Sequence, residues 1–565
     1  MSIAISIEDL TFTYRGSVRS ALKNIQGEME DGTFVVMMGH GGAGKSTLCC
    51  ALNALVPNFF HGQYQGRVLI KGKEVAKQKV AEMSRVVGLV LQDFEAQLFS
   101  TNVELEMAFG PENHCLPRSE IEDRIQRYLT FISLEKLRHR EPASLSGGQK
   151  QRLAIGSILA LEPKILVMDE PTTDLDPQGR EEVLSVAESL RREGRMFLIV
   201  DHEPETATTA DQVWLMRDGR IEAKGPPAEI LGDVPTLESC GIKAPPVIEL
   251  FHSMSWPGRP LTVEAAIALI QKHNLTHRRE RESTAVPFDS AKGSPILKAE
   301  GLRYIYPTHH VEALRGIDLA IHEGEFVAIL GQNGSGKTTL AKHFNGLLKP
   351  TSGRMMVQGK PTTEYSHREL ARRVGYVFQN PDHQIFARTV AEEVGFGLKM
   401  QGETTNTIKR RVFEALDVVG LQGYEQKVPF TLTKGERQRV AVASVLATQP
   451  QVIILDEPTT GLDYRHQRNM MEILKRLNKY GHTIIIITHS MWVAAEYAKR
   501  TMVLKEGFIL SDGPTRAVFA DEVRLADASL CPPSLVRLSN WLGMEALTVQ
   551  QMVRELREIP NYKHQ

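Results

Sequence analysis

Cysteine and net charge are both scarce in this sequence of 565 residues. Its five cysteines (Cys49, Cys50, Cys115, Cys240 and Cys531) include one adjacent pair and no CxxC spacing. Neither a disulfide framework nor a zinc site is predicted, and a reducing compartment is expected. The 67 Lys and Arg residues nearly balance 68 Asp and Glu, giving a formal net charge of −1. This balance lacks the bulk basicity that is typical of nucleic-acid-binding proteins.

Long apolar runs are also absent from the sequence. The longest, such as IIII at 484–487, are far shorter than the roughly 20 residues that a membrane-spanning helix needs. The N-terminal segment MSIAISIEDLTF has no basic stretch followed by a long apolar one. We therefore expect neither a leader nor a membrane span, although the protein can still lie against a membrane partner. The length predicts several domains, at roughly 100–200 residues each.

The main feature that is present is an internal repeat. TFTYRG (11–16) matches RYIYPT (303–308), and GHGGAGKST (39–47) matches GQNGSGKTT (331–339), at an offset of 292 residues. ILVMDEPTTDLD (165–176) matches VIILDEPTTGLD (452–463) at 287, which indicates a five-residue insertion within LVPNFFHGQYQGR (55–67). The repeat predicts two units, 1–270 and 296–565, each ending in a small helical appendage and joined by a polar linker at 271–295.

Each unit has a glycine-rich loop between an apolar strand and a predicted helix. FVVMMG (34–39) precedes a helix that begins near Lys45, and EFVAILG (325–331) precedes one near Lys337. A P-loop requires this context, because its backbone N–H groups and helix N-terminus bind phosphate while the lysine neutralises the outer charge. Ser46 and Thr338 follow the lysines and are placed to bind Mg²⁺ through their hydroxyls.

Three further apolar runs in each unit end in polar side chains. They are two acids (Asp169 with Glu170, and Asp456 with Glu457), a histidine (His202 and His489) and a glutamine (Gln92 and Gln379). An aspartate there can hold Mg²⁺ through water, and the neighbouring glutamate can act as general base. The histidine can reach the γ-phosphate, and the glutamine can contact Mg²⁺ or the attacking water. Singly, each would be an ordinary strand-end residue; beside two P-loops they predict nucleotide hydrolysis.

Each unit contains, in this order, the P-loop, the glutamine, LSGGQ (145–149) or LTKGE (432–436), the DEPT segment and the histidine. This duplicated set of motifs resembles ATP-binding cassette (ABC) ATPases over nearly the whole chain. The resemblance implies α/β architecture: two tandem RecA-like P-loop cassettes, each with an antiparallel β subdomain and a helical subdomain that carries the signature. It implies ATP and Mg²⁺ as cofactors, with Tyr14 and Tyr306 stacking on adenine.

The predicted site residues follow from the motifs and from this resemblance. The catalytic set is Glu170, Glu457, His202, His489, Gln92 and Gln379, and the Mg²⁺ ligands, partly through water, are Ser46, Asp169, Thr338 and Asp456. The ATP-binding set is Tyr14, Gly39, His40, Gly41, Gly42, Ala43, Gly44, Lys45, Ser46, Thr47, Tyr306, Gly331, Gln332, Asn333, Gly334, Ser335, Gly336, Lys337, Thr338, Thr339, Ser146, Gly148, Gln149, Thr433, Gly435 and Glu436.

ABC ATPases hold two ATP between two cassettes, so the resemblance implies an intramolecular cassette dimer. Site one is expected to combine Lys45, Ser46, Asp169, Glu170 and His202 with the signature at 432–436. Site two is expected to combine Lys337, Thr338, Asp456, Glu457 and His489 with the signature at 145–149.

The segments after the two glutamines carry a more specific resemblance. DFEAQLFSTNVELEMAFGPEN (93–113), NPDHQIFARTVAEEVGFGLKM (380–400), the tails APPVIEL and CPPSLVRL and the insertion VPNFFHG are similar to energy-coupling-factor and cobalt-type importer ATPases. This implies an ATPase subunit for uptake of a vitamin or a transition-metal ion, peripheral on the cytoplasmic face of the cell membrane. Its partners would be integral membrane subunits, namely a transmembrane coupling protein and a substrate-binding component, with no nucleic acid.

Two other functions stay open. A soluble twin-cassette ATPase that acts on the ribosome in translation also lacks membrane spans. A chain that resembled such proteins would have a long, charged helical linker between the cassettes. The linker in this sequence contains the helix-breaking Pro287, Gly293 and Pro295. A twin-cassette sugar importer ATPase is the other alternative; its second site often loses catalytic residues, and here Glu457 and Lys337 are intact.

The two units differ at the signature and beside the histidine. Ser146, Gly147 and Gln149 correspond to Thr433, Lys434 and Glu436. Threonine keeps the hydroxyl that would bond the γ-phosphate, and Lys434 would either crowd the interface or point to solvent. We expect both sites to hydrolyse ATP, site one more slowly because its signature is the altered one. Asp201 precedes His202 where Thr488 precedes His489, and no sequence rule accounts for that acid.

Overall fold

The structure is a computed structural model that describes residues 2–172, 177–276, 294–307 and 310–558, without the side chains of residues 177 and 178. The chain forms two compact units, residues 1–269 and 270–565. Of the predicted linker at 271–295, residues 277–293 lie outside the described part. Its first residues, up to His273, belong to the last helix of the first repeat.

The strands of the described residues fall into two matching sets. In chain order they are β1 (Ile3–Tyr14), β2 (Leu22–Glu30), β3 (Phe34–Gly39), β4 (Gly62–Ile70), β5 (Lys73–Glu74), β6 (Val87–Val90), β7 (Ile165–Asp169), β8 (Met196–Val200), β9 (Gln212–Arg217), β10 (Arg220–Gly225), β11 (Leu297–Tyr306), β12 (Val311–Ile321), β13 (Phe326–Leu330), β14 (Ser352–Val357), β15 (Lys360–Pro361), β16 (Val374–Val377), β17 (Val452–Asp456), β18 (Thr483–Ile487), β19 (Arg500–Lys505) and β20 (Phe508–Pro514).

The helices of the described residues separate these strands. They are α1 (Lys45–Leu52), α2 (Leu55–Asn58), α3 (Val80–Met83), α4 (Val103–Asn113), α5 (Arg118–Phe131), α6 (Gly147–Leu159), α7 (Pro177–Arg192), α8 (Pro204–Ala207), α9 (Pro227–Ile230), α10 (Val234–Ser239), α11 (Pro246–Ser253), α12 (Val263–His273), α13 (Lys337–Phe344), α14 (His367–Arg373), α15 (Val390–Gln401), α16 (Thr405–Val418), α17 (Lys434–Ala447), α18 (Tyr464–Lys479), α19 (Met491–Tyr497), α20 (Thr515–Ala520), α21 (Glu522–Asp527), α22 (Ser534–Trp541) and α23 (Val549–Arg557).

Two sheets form the frame of the first unit. The smaller sheet is antiparallel, in the order β2-β1-β4-β5. The larger has the order β10-β9-β3-β8-β7-β6, parallel except for the edge pair β9–β10. Strands β3, β7 and β8 are buried along their whole lengths, which explains their uninterrupted apolar sequences. Their carboxyl ends meet at one edge of the sheet, where the predicted site residues lie.

The second unit repeats this topology. Its antiparallel sheet has the order β12-β11-β14-β15, and its larger sheet has the order β20-β19-β13-β18-β17-β16. The four pairs β13–β18, β13–β19, β16–β17 and β17–β18 are parallel. The prediction of two RecA-like α/β units, each with an antiparallel β subdomain, is therefore confirmed.

Each signature lies at the start of a helix in a small helical subdomain. In the first unit α4, α5 and α6 pack on one another, and in the second α15, α16 and α17 do so. Apolar side chains such as Met107, Leu153 and Val440 are fully buried between these helices and the sheet. A pair of helices also closes each repeat, α11 with α12 and α22 with α23, as predicted for the appendages.

No helix within residues 2–172, 177–276, 294–307 and 310–558 is both long and apolar enough to cross a membrane.

Candidate functional site

The P-loop of each unit folds as predicted. Gly44 and Gly336 precede helices α1 and α13 with φ of 101° and 103°, a left-handed conformation that favours glycine. Lys45 Nζ donates hydrogen bonds to the carbonyls of Gly39 (2.8 Å) and His40 (3.0 Å). Lys337 makes the equivalent bonds to Gly331 and Gln332, both at 2.8 Å. These contacts hold a buried ammonium group inside a loop whose N–H groups can bind phosphate.

The strand-end aspartates lie beside the hydroxyls predicted to bind Mg²⁺. Asp169 is hydrogen-bonded to Ser46, and Asp456 to Thr338. Burial raises the pKa of Asp169 to about 6, against the opposing hydrogen bond from Ser46, and burial also raises the pKa of Asp456. In both residues the buried Oδ1 has no hydrogen-bond partner among the described residues. A buried carboxylate oxygen left over beside a hydroxyl fits Mg²⁺, which prefers oxygen ligands.

The glutamates that follow are held in a strained conformation at the same edge. Glu170 and Glu457 have φ of 52° and 49°, in the left-handed region. Each N–H donates to the neighbouring strand, at Val200 O (3.0 Å) and Ile487 O (2.9 Å). Such backbone strain clusters at active sites, and here it turns each carboxylate into the space beyond the strand ends.

The two glutamates have different partners. Glu170 Oε2 accepts a hydrogen bond from Gln92 Nε2, and its Oε1 lies 2.7 Å from His202 Nε2. In the second unit Glu457 lies 3.0 Å from the other ring nitrogen, Nδ1, of His489. Burial raises the pKa of Glu457, but the charge and hydrogen bond of His489 outweigh burial and hold that pKa below its usual value.

The predicted tyrosines lie directly beside the P-loop helices. Tyr14 OH is 3.1 Å from Thr47 Oγ1, and Tyr306 OH is 3.0 Å from Thr339 Oγ1. In the first unit the insertion places Phe60 edge-on to Tyr14, with ring centroids 6.4 Å apart. The tyrosines are thus positioned at the phosphate loop, and adenine stacking on them stays a prediction.

Both signature helices begin with a capping box. Ser146 Oγ accepts from Gln149 N, and Gln149 Oε1 accepts from Ser146 N. Thr433 and Glu436 make the same reciprocal pair, but there the Thr433 hydroxyl also donates to Glu436 Oε2 at 2.9 Å. The hydroxyl that sequence reasoning reserved for phosphate is therefore engaged by the acid beside it.

Lys434 is exposed to solvent, which is one of the two placements expected from the sequence, and its side chain passes close to Gly461. A Cβ added at Gly461 would lie 3.0 Å from Lys434 Cε and 3.4 Å from its Cδ. The lysine stem therefore lies along the glycine of the DEPTTGLD segment in its own unit.

Sequence reasoning missed one residue that contacts this site. Tyr376 is buried in β16, and its hydroxyl donates a 2.8 Å hydrogen bond to Asp456 Oδ2. The corresponding residue of β6 is Leu89, so the first unit has no such donor at this position. A comparison of the two repeats, VGLV with VGYV, would have been the available signal.

Family comparisons agree with this geometry. A family model described as ABC transporter matches residues 22–173 and 314–460. A curated protein of Caldanaerobacter subterraneus subsp. tengcongensis, named "Putative ABC transporter ATP-binding protein", is 50% identical over 563 residues, covering 97% of this chain and 98% of its own length. This chain belongs to the ABC transporter family. We call residues 1–269 cassette one and residues 270–565 cassette two; membership implies that the chain binds and hydrolyses ATP.

The chain also matches other proteins and one further family model. A Methanosarcina acetivorans protein of the same description is 41% identical over 551 residues, covering 95% of this chain and 90% of its own. A model of an AAA domain also matches residues 428–494. Among solved structures, cbiO1 from Clostridium perfringens, described as part of the ABC transporter complex cbiONQ, is 39% identical. It covers 44% of this chain and 99% of its own, with a TM-score of 0.39.

We predict that Asp169→Asn stabilises the nucleotide-free protein at pH 8. Because the carboxyl pKa is about 6 when folded and 3.8 when exposed, the folded state binds more protons and loses stability as pH rises from about 4 to 6. The penalty above pH 6 is about 3 kcal/mol at about 1.4 kcal/mol per pH unit, and the variant escapes it. Scanning calorimetry without Mg²⁺ should show a higher Tm for the variant.

Two conditions control this measurement. At pH 5 the advantage of the variant should fall to about half, because the Asp169 carboxyl is then mostly protonated in the folded state but mostly ionised in the unfolded state. With Mg²⁺ and ATP the order should reverse, because only the wild type keeps the ligand. Equal Tm values at pH 8 would contradict the cost assigned to burying the ionised carboxylate of Asp169.

We also predict that Tyr376→Phe weakens Mg²⁺ binding in cassette two. Loss of a hydrogen bond to a metal-binding carboxylate typically costs about 10–100-fold in metal affinity. With cassette one silenced by Glu170→Gln, the Mg²⁺ concentration for half-maximal phosphate release should rise about tenfold. The same substitution in a Glu457→Gln background should leave the Mg²⁺ dependence unchanged; an equal shift in both backgrounds would refute the assignment.

Proposed function

We propose that this chain is the ATP-hydrolysing subunit of an ABC importer of the energy-coupling-factor or cobalt type, moving a vitamin or a transition-metal ion. Its partners are integral membrane subunits, and it lies peripherally on the cytoplasmic face of the membrane. The resemblance of the segments after Gln92 and Gln379 supports this function. The observation that carries it is an exposed aromatic pair, fixed in the same way in both cassettes.

The chemistry of each cassette follows from its site residues. Bound Mg²⁺, held by Ser46 and Asp169, would neutralise charge on the phosphates. The P-loop N–H groups and Lys45 orient the γ-phosphate, and Glu170 accepts the proton of the attacking water. His202 stabilises the charge that develops on the γ-phosphate. Lys337, Thr338, Asp456, Glu457 and His489 take the same roles in cassette two.

The aromatic pair follows each glutamine by a few residues. Phe99 and Phe109 have ring centroids 4.5 Å apart, and Phe386 and Phe396 have centroids 4.7 Å apart, both edge to face. Phe99 is 63% exposed and Phe386 is 60% exposed. Leu105 in cassette one and Met400 in cassette two extend the exposed apolar surface.

A buried glutamate holds each aromatic segment in place. Glu106 Oε2 accepts hydrogen bonds from the N–H groups of Phe99 (3.1 Å) and Ser100 (2.8 Å). Glu393 Oε2 accepts from Phe386 and Ala387, both at 2.9 Å. Both glutamates are nearly inaccessible to water. In both cassettes a buried glutamate thus fixes the backbone of a solvent-exposed phenylalanine. This supports a role of the exposed ring in a binding surface.

The surface is also connected to the catalytic glutamate. Gln92, immediately before the aromatic segment of cassette one, donates to Glu170. Gln97 Oε1 accepts from Leu91 N, and in cassette two Gln384 accepts from Phe378 N and donates to Ala441 O in the signature helix. A partner that moves this segment would therefore also move the general base or the signature, as coupling of transport to ATP hydrolysis requires. We infer an apolar segment of a membrane subunit as the occupant.

The test uses a double variant, Phe99→Ser with Phe386→Ser. The tagged chain is purified in mild detergent from membranes of cells that also produce the membrane proteins encoded beside it. The wild type should retain an integral membrane protein, and the double variant should lose it while keeping its ATP affinity. An interface hot spot contributes about 2 kcal/mol or more, so loss of two such residues should weaken binding about 10³-fold.

Phe508→Ser is the matched control, because Phe508 is 48% exposed on the edge strand β20, at the opposite edge of the larger sheet from β16, which leads into the Phe386 segment. This variant should keep the membrane protein. ATP-dependent co-sedimentation with ribosomes, with no membrane protein retained by the wild type, would overturn the importer proposal in favour of the translation alternative.

A second prediction concerns the two ATP sites, which by the family resemblance each combine one P-loop with the other signature. Glu170→Gln or Glu457→Gln should cost about 10²–10⁴-fold at its own site. Phosphate release should be slower in Glu457→Gln, which leaves site one working, because the signature expected at site one carries the acidic Glu436. Glu436→Gln in that background should raise the rate. Equal residual rates in the two single variants would refute the asymmetry and leave ATP hydrolysis unaffected.

A further inference from the structure

Asp201 lies between strand β8 and the histidine His202 of cassette one. It is only 4% exposed. Its Oδ1 accepts hydrogen bonds from the backbone N–H groups of His202 (2.7 Å) and Glu203 (3.0 Å). Its Oδ2 accepts from the hydroxyls of Thr172 (2.9 Å) and Thr206 (2.7 Å). Four donors thus satisfy one buried carboxylate, as the burial of a charged group requires.

These four bonds join the two segments that carry the catalytic groups. Thr172 follows Glu170 by two residues, on the segment that leaves strand β7. His202 and Thr206 belong to the segment that leaves strand β8. One carboxylate therefore sets the spacing of both segments, and across that spacing His202 Nε2 lies 2.7 Å from Glu170 Oε1.

In cassette two, the residue before the histidine makes different contacts. Thr488 replaces Asp201 and is fully buried, and its hydroxyl accepts from Ser490 N at 2.9 Å. Among the described residues of cassette two, no hydrogen bond joins Thr488 to Thr459, the counterpart of Thr172. The histidine there faces its glutamate with Nδ1 instead of Nε2. The link between the two segments is thus a feature of cassette one.

We propose that Asp201 is a positioning residue for ATP hydrolysis in cassette one. It fixes His202 relative to Glu170 by holding both strand-end segments on one carboxylate, and it acts through geometry rather than through its charge. This inference rests on the roles proposed for Glu170 and His202. It assigns to Asp201 no contact with the nucleotide.

The test isolates cassette one by using Glu457→Gln as the background. Asp201→Thr introduces the residue of cassette two, which is too short to span both segments. It should lower kcat for phosphate release about 10–100-fold, since misplacement of a catalytic group by about 1 Å costs that much. KM for ATP should change less than about threefold, because the P-loop is untouched.

Asp201→Asn separates geometry from charge. Its carbonyl oxygen can still accept from His202 and Glu203, and its amide can donate to the hydroxyl oxygens of Thr172 and Thr206. This neutral variant should therefore keep kcat within about threefold of the background. A loss as large as that of Asp201→Thr would overturn the geometric role.

Further variants control for folding. Thr172→Val removes only the hydrogen bond between Thr172 and Asp201 and should lower kcat by a smaller factor. Combined with Asp201→Thr it should cause no additional loss of kcat, because both substitutions break the same connection between the two segments. If Asp201→Thr does not fold, Thr172→Val carries the test. Thr488→Ser, which keeps the hydroxyl at the matched position, should leave the rate unchanged.

Two results would overturn the proposal. One is an unchanged kcat in Asp201→Thr, and the other is a fall in kcat that is matched by an equal loss of ATP-binding stoichiometry. The double variant Glu170→Gln, Glu457→Gln tests the catalytic glutamates separately. If it kept wild-type turnover, the roles of Glu170 and therefore of Asp201 would both be refuted.

Discussion

Each cassette depends on keeping opposite charges buried together at the carboxyl edge of a parallel sheet. Lys45, Asp169 and Glu170 are each less than 10% exposed. Burying a charge is costly unless it is paired and hydrogen-bonded, and the protein satisfies the lysine with P-loop carbonyls. Asp169 keeps an oxygen without a partner among the described residues. The site is therefore electrostatically incomplete in the protein alone, which is what a phosphate-bound metal ion would correct.

The fold, and the place where several candidate site residues meet, could be predicted from the sequence because both depend on local patterns. A strand buried on both faces is continuously apolar, so β3, β7 and β8 were visible as runs, and parallel strands bring their carboxyl ends together. Glu170, His202 and Gln92 accordingly meet where expected. In cassette two the histidine and glutamate meet as well, but among the described residues no hydrogen bond joins Gln379 to Glu457.

The sequence did not predict two contacts whose residues belong to no recognised motif pair. Tyr376 and Asp456 are 80 positions apart, and Thr172 and Asp201 are 29 apart, with no local pattern that pairs them. Both contacts involve a buried carboxylate whose partners depend on how neighbouring strands pack. Each contact occurs in one cassette alone, so a comparison of the two repeats shows only that the residues at these positions differ. The same backbone topology thus supports a different set of hydrogen bonds around the buried carboxylates of each cassette.

In the altered signature of cassette two, the acid Glu436 changes the helix N-terminus more than the lysine Lys434 does. The N-terminus of a helix attracts anions through its free N–H groups and its dipole. In α6 the neutral Gln149 completes the capping box and leaves this attraction available. In α17 Glu436 completes it with a carboxylate, which also accepts from Tyr424 OH at 2.9 Å, and hydrogen bonds hold the pKa of Glu436 low despite burial. A charged Glu436 stabilises its own helix but competes with a phosphate for the same donors. Lys434 lies along Gly461 of its own cassette and is exposed to solvent. The substitution that changes this helix N-terminus most is therefore glutamine to glutamate.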